Sequence, residues 1–164
     1  MKTKFLLMVA LIAACLTGYA QDLKLPKSDD VKKAGQTVQK TATSTASMGN
    51  LVGELTNNIS DKALTDTFKK QKTGFTEKVS KTSDASGLGS SLATLGGGLK
   101  TSAMDAGWGA VKDKFVKDAK SATTLKTVAG LTGQLESHIS TGSFKGSWAK
   151  ARPVWQSALS TIAK

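Results

Sequence analysis

Residues 144–162 read FKGSWAKARPVWQSALSTI, and within them Phe144, Trp148, Ala151, Trp155, Leu159 and Ile162 recur every three or four positions. Because an α-helix turns once in 3.6 residues, that spacing gathers all six on one face. Pro153 falls inside the run. Proline lacks the amide donor and crowds the carbonyl four residues back. The segment therefore either kinks near 149–152 or begins its helix proper at Pro153, where the missing donor does no harm.

The same period extends toward the N-terminus. Leu125, Val128, Leu131 or Thr132, Leu135 and Ile139 mark a helix from about residue 122 to 140, closed by Thr141-Gly142. Leu88, Leu92, Leu95 and Leu99 keep helical spacing, and Ala103, Trp108, Val111 and Phe115 carry the face onward. Gly96-Gly97-Gly98 lies between them; at about 1 kcal/mol per glycine in a helix interior, the triplet marks either a break or a close contact. Leu64, Phe68, Phe75 and Val79 predict a further helix, capped by Ser60-Asp61 and ending near Lys81. A thinner face (Val31, Ala34, Val38, Ala42, Met48, Leu51, Val52, Leu55) follows a capping Ser28-Asp29-Asp30 and stops at Asn57-Asn58. Nowhere do Val, Ile, Thr and aromatic residues alternate as in strands. The fold expectation is all-α: a small up-and-down bundle of four to five amphipathic helices over residues 28–164, behind an extended leader at 21–27.

Residues 1–20 have a different character. Lys2 and Lys4 give a basic start, Phe5 to Leu16 is apolar without a break, and Gly18 and Ala20 are small. This is the layout of a cleaved secretory signal peptide, with the cut between Ala20 and Gln21. The run is well short of the roughly 20 residues that span a bilayer. Ile12-Ala13-Ala14-Cys15 also resembles the lipobox of bacterial lipoproteins. That resemblance implies lipidation at Cys15 and an outer-membrane anchor as the alternative. Either way the chain is exported, to the periplasm or out of the cell.

Cys15 is the only cysteine, so residues 21–164 hold no disulfide and must fold by packing alone. Counting glycine, 64 of these 144 residues are apolar, enough for a core though not a generous one. They carry 21 basic against 12 acidic residues, a net charge of +9. Such a balance speaks of solubility and of attraction to anionic lipid, lipopolysaccharide or another polyanion. The lysines are spread along the chain, with acidic neighbours such as Asp66, Asp113 and Asp118, so a solvated surface is the simpler account.

A search for catalytic groups returns little. His138 is the only histidine, and no G-x-S-x-G elbow surrounds a serine. His138 reads as a structural residue with a titratable ring, hence a candidate pH-sensitive contact. The carboxylates lack the spacing of a calcium loop, and Gly87-Leu88-Gly89 lacks the Lys-Ser/Thr of a phosphate loop. No cofactor, metal or specific nucleic-acid site is expected. Small residues at spacing four, Gly89-Ala93-Gly97 and Ala103-Gly107, suit close helix approach. Asn58-Ile59-Ser60 matches a glycosylation acceptor, read as chance in a chain of bacterial character.

Trp108, between two glycines, and the Leu88, Leu92, Leu95 and Leu99 face are the candidate contacts for a ligand or membrane. The functional expectation is an exported, non-enzymatic helical protein with a binding or structural role and an unidentified protein partner. The alternative is an envelope-associated protein docking on anionic lipid or lipopolysaccharide, and an enzyme is a distant third.

Overall fold

The computed structural model describes residues 45–164. The expected signal peptide, Cys15, the expected leader and the helical stretch expected from residue 28 up to residue 44 lie outside the described residues.

Six α-helices and three 310 turns make up what is described, with no strand among these residues. They follow a period that the residue types only faintly betray. A helix over 45–58 (α1) leads through a 310 turn, Asp61–Ala63, to α2, Asp66–Lys81. The same sequence of elements recurs as α3 (Ala85–Gly98), turn Thr101–Ala103 and α4 (Trp108–Lys120). It recurs again as α5 (Leu125–His138), turn Thr141–Ser143 and α6 (Trp148–Ile162). The described residues are thus three helical hairpins of 40 residues each, 45–84, 85–124 and 125–164. One position, Leu55/Leu95/Leu135, holds the same residue in all three.

Three isolated antiparallel bridges join the hairpins. Leu64 pairs with Leu99, Met104 with Ile139, and Phe144 with Ile59. The first links hairpin one to two, the second two to three, and the third returns three to one, so the ring closes. Each bridge uses the same two backbone bonds. Thr65 N–H donates to Gly98 (2.8 Å) and Lys100 N–H to Ala63 (2.9 Å). Asp105 N–H donates to His138 (2.8 Å) and Ser140 N–H to Ala103 (2.9 Å). Lys145 N–H donates to Asn58 (2.8 Å) and Ser60 N–H to Ser143 (2.8 Å). All six bridged side chains are apolar, and all but half-buried Phe144 are core residues.

This arrangement revises several sequence expectations. Three hairpins closed into a ring replace the up-and-down arrangement. Leu64, Leu99, Ile139 and Phe144 keep helical spacing with their neighbours yet lie beyond the helix ends, in the bridges. The helix expected from Ser60-Asp61 starts at Asp66 and is capped by Thr65, whose hydroxyl accepts from the Phe68 amide. The glycine triplet marks a boundary: α3 ends at Gly98. Pro153 sits inside α6, which begins at Trp148, so the helix does not start at the proline.

The first helix of each hairpin is the better buried. In α3, Leu88, Leu92 and Leu95 are wholly buried, whereas α2 buries only Phe68 and Val79. Glycines set how closely the second helix covers the first. A Cβ on Gly49 would stand 2.6 Å from the Val79 carbonyl oxygen, and one on Gly89 2.2 Å from that of Ala119. Gly98 receives the ring of Phe68 in the same way, a contact between hairpins. The close approach expected of Gly89 is therefore present, within the protein's own core. Trp155 ties the ring's closing joint: it is 1% exposed, and its indole N–H donates to the Leu51 carbonyl at 2.8 Å.

Two substitutions separate these roles. Gly89→Ala should destabilise by several kcal/mol, of the order of an overpacked core change or worse, because its new methyl meets backbone. Gly74→Ala, in open space on α2, should stabilise by about 0.5–1 kcal/mol. Urea unfolding of both variants checks the pair. Trp155→Ala should lose about 3–5 kcal/mol in the same assay.

Candidate functional site

The structure places the sequence candidates inside the molecule. Leu88, Leu92 and Leu95 are fully buried, Leu99 is 3% exposed and Trp108 is 1% exposed. The glycines beside Trp108 do leave it without cover from its chain neighbours. Phe115 supplies that cover instead (centroids 5.2 Å apart), together with His138 (5.7 Å). As folded, these five residues form core, and none presents a face to a ligand or a membrane.

His138 has a defined partner. Its Nδ1 lies 2.9 and 3.0 Å from the two carboxylate oxygens of Asp105, across the joint between hairpins two and three. Asp105 also accepts from the Gly107 amide (2.9 Å) and the Trp108 amide (3.0 Å), capping α4. The hydrogen bond from His138, then its charge and these two amides, hold the Asp105 carboxyl below its ordinary value. Asp61 is lowered likewise, by the Lys72 hydrogen bond (2.9 Å) and charge, with Lys69 and Lys145 adding. Both pairs staple elements together. Among the described residues the side-chain hydrogen bonds of His138 run to Asp105 alone.

The third hairpin departs from the other two, and the departure makes a site. Where hairpins one and two carry Gly49 and Gly89 against backbone, hairpin three carries Ala129. Where the others carry Thr56 and Gly96, α5 carries Glu136, which is 3% exposed. A cavity of about 290 Å³ results, walled by Ala129, Gly133, Glu136, Trp155, Gln156 and Leu159.

The Glu136 carboxylate has partners from α6. Arg152 Nε stands 2.6 Å from Oε1, Arg152 Nη2 donates to Oε2 (3.3 Å), and Gln156 Nε2 donates to Oε2 (3.4 Å). A buried carboxylate is tolerated only when so neutralised. The Arg152 side chain is 46% exposed and continues into a second cavity of about 380 Å³. Ser137 and Arg152 belong to both cavities. The second is walled by Ser137 and Thr141 on one side and by Phe144, Lys145, Trp148 and Arg152 on the other. Phe144 and Trp148 stack there (5.3 Å, 19°). Trp148 is 3% exposed, and its indole N–H is buried with no acceptor among the described residues.

A third basin, about 330 Å³, lies among the 310 turns of all three hairpins. It is lined by Lys62, Ser102 and Gly142, and its buried Ser143 hydroxyl is already bonded to Ala103 (2.9 Å). Among the described residues no cluster of His, Cys, Asp or Glu would hold a metal ion, and no helix is long and apolar enough to cross a membrane. Sequence reading missed Glu136, Arg152, Trp148 and Asp105 as site residues. Aligning the hairpins would have exposed them, since Glu136 is a carboxylate at a core position and Lys145 stands where Thr65 and Asp105 cap. The chain matches no protein-family model, no curated protein and no solved structure.

The ion pair and the cap predict distinct behaviours. Removing one partner of a buried pair costs up to about 3–5 kcal/mol, and half-exposed Arg152 places its loss toward or below the lower end. Arg152→Met should therefore destabilise, and a Glu136→Gln, Arg152→Met double variant should lose less than the two single changes combined; denaturant melts of the cycle decide it. For Asp105 the folded carboxyl titrates below its ordinary 3.8. Its contribution is thus complete above that pH and lost as the pH falls below it. The stability gap between the native chain and Asp105→Asn should be widest near neutrality and close below pH ~3.8, as thermal melts across pH would record.

Proposed function

We propose that this protein is an exported, non-enzymatic binding module that takes its ligand in the third hairpin. One observation supports the reading above the others: of three hairpins built to one plan, the third alone carries a buried carboxylate, Glu136, and it lines a cavity between that hairpin's two helices. A hairpin that served the core alone would be expected to keep the glycine contact of its two counterparts. Concave sites with a few convergent polar groups are where small ligands bind. Neither Glu136, neutralised by Arg152, nor His138, held by Asp105, is arranged for proton transfer or attack on a substrate.

The test is a small-molecule screen read by amide chemical shifts. Hits should cluster at Gly133, Ser137, Arg152 and Gln156. Shifts spread evenly over the three hairpins, or an absence of hits, would remove the proposal.

Export belongs to the same reading and has its own check. Intact mass of the exported protein should correspond to a start at Gln21, and Cys15→Ser should leave processing unchanged. An acylated Cys15 at the N-terminus would move the protein to a membrane.

A second reading, docking on anionic envelope surfaces, draws support from α2 and α4. Lys69, Lys70, Lys78 and Lys81 on the one, and Lys114, Lys117 and Lys120 on the other, are all exposed. Under this reading, retention on vesicles containing anionic lipid should fade as added salt screens the lysines.

A further inference from the structure

The three joints of the ring are alike in their bonds and unlike in their place along the chain. Residues 82–84 carry α2 into α3, and residues 121–124 carry α4 into α5. Hairpins one and two, and two and three, are thus tied by a linker as well as by a bridge. α6 ends at Ile162 and α1 begins at residue 45, so no linker crosses the joint between hairpins three and one. Among the described residues that joint consists of contacts: the Ile59 and Phe144 bridge, the Trp155 indole on the Leu51 carbonyl (2.8 Å) and the Ser147 hydroxyl on Asn58 (3.2 Å).

The linkers also pack into the joints they cross. Ala122 is 2% exposed, and the Thr82 methyl lies 2.7 Å from where a Cβ on Gly87 would stand. In the closing joint Ile162 takes the place of Thr82 and Ala122, and it lines a cavity of about 430 Å³ with Leu51 and Ala158. Every hairpin presents two different edges, Ile59, Leu99 or Ile139 on one and Leu64, Met104 or Phe144 on the other. Edges that are complementary rather than alike meet on the same terms within a chain and between chains. Exchange between two copies therefore keeps every native joint and alters only the course of a linker, and short linkers favour it.

Hairpin three is the unit suited to move. Its buried Glu136 is paired with its own Arg152 and Gln156, so movement strands no charge. Its Phe144, Trp148 and Trp155 rings pack on one another, at 5.3 Å for each contact. Its ties outward run from His138 to Asp105, from Ser143 to Ala103, from Ser147 to Asn58 and from Trp155 to Leu51. A second copy offers all four partners in the same arrangement.

We propose that this chain takes a second copy of itself as partner: two chains exchange their third hairpins about residues 121–124, and each ring is completed by the other's α5 and α6. The two cavities of hairpin three are lined by that hairpin alone and travel with it. The inference therefore stands apart from the binding reading and its screen.

Residues 21–164 contain no cysteine, so introduced cysteines report their partners cleanly. Bridge residues face each other as antiparallel pairs without mutual hydrogen bonds, with Cα atoms about 4.5 Å apart, within disulfide reach. The exported form carrying Ile59→Cys is refolded with the form carrying Phe144→Cys at roughly 1 mM, where a second copy competes with a short tether. Oxidation should then give the mixed disulfide between the two chains, identified by peptide mass. Met104→Cys with Ile139→Cys should do the same. Leu64→Cys with Leu99→Cys probes the joint that stays within one chain, and its mixed yield should be at least about tenfold lower.

The unsubstituted protein gives a second measurement that no cysteine can disturb. Refolded at the same concentration it should contain a dimer by light scattering, and a Gly-Gly insertion after Thr123 should cut the dimer fraction several-fold by relaxing the hinge. A monomer alone at this concentration, or a dimer fraction that the insertion leaves unchanged, would overturn the proposal. Equal mixed yields at all three joints would reduce the linkage to nonspecific association and overturn it too. Linkage at Leu64 and Leu99 in place of Met104 and Ile139 would make hairpin one the exchanging unit, against the assignment to hairpin three.

Discussion

Six backbone hydrogen bonds, two at each joint, hold three otherwise insufficient hairpins in one ring. Helices of 13 to 16 residues are marginal alone in water, because nucleation is costly and most helical stability comes from packing. A single hairpin here could not supply that packing, since Phe68 of the first rests on Gly98 of the second and Trp155 of the third reaches Leu51 of the first. Each bond contributes about 1 kcal/mol net, whereas an unpaired buried backbone group costs about 1–3 kcal/mol. The bridges thus matter less as attraction than as a penalty on every other register. They also explain how residues 21–164 can dispense with a disulfide: closure between Ile59 and Phe144 is made by backbone.

Once the ring fixes the hairpins, side-chain size decides how each closes. Gly49 and Gly89 admit a backbone carbonyl from the covering helix, and no larger residue could. Gly96 faces the Phe115 ring, with 2.9 Å to a built Cβ. Gly96 and Gly98 thus exchange helix propensity for contact area, so the triplet is a close contact as well as the end of the helix. Ala129 interrupts the pattern with a single methyl. Interiors are packed like crystals, so a change of one methyl is felt by its neighbours, and Ala129 lines the same cavity as Glu136 and Arg152.

Helical periodicity was legible in the sequence, and the architecture was not. Trp148, Trp155 and Leu159 are buried on the face that spacing assigned them. But Leu99, Ile139 and Phe144 also keep that spacing while sitting in bridges; a residue one turn past a helix end points the same way whether or not the helix continues. The repeat stayed hidden because size and polarity recur where identity does not: Phe68, Trp108 and Trp148 occupy one position, Phe75, Phe115 and Trp155 another. Trp108 was misjudged for a related reason. Flanking glycines reveal what chain neighbours cannot cover, but Phe115 and His138 come from elsewhere. Glu136 was invisible because amphipathic reading counts apolar residues, and a buried carboxylate is only meaningful beside the Arg152 that the fold brings to it.

The three hairpins act as each other's controls. Divergent as they are, all three still present apolar residues at Leu64, Met104 and Phe144 and at Ile59, Leu99 and Ile139, because the bridges need them. Positions free of that demand have drifted, and drift alone would leave exposed, solvated residues behind. At Glu136 and Trp148 the result is different: a charge and a donor have been carried into the interior, where each is costly unless matched. Glu136 is matched by Arg152 within the chain. Trp148 N–H has no acceptor among the described residues. A buried carboxylate where the equivalent hairpins keep Thr56 and Gly96, and a buried donor without an acceptor beside it, set the third hairpin apart from the other two.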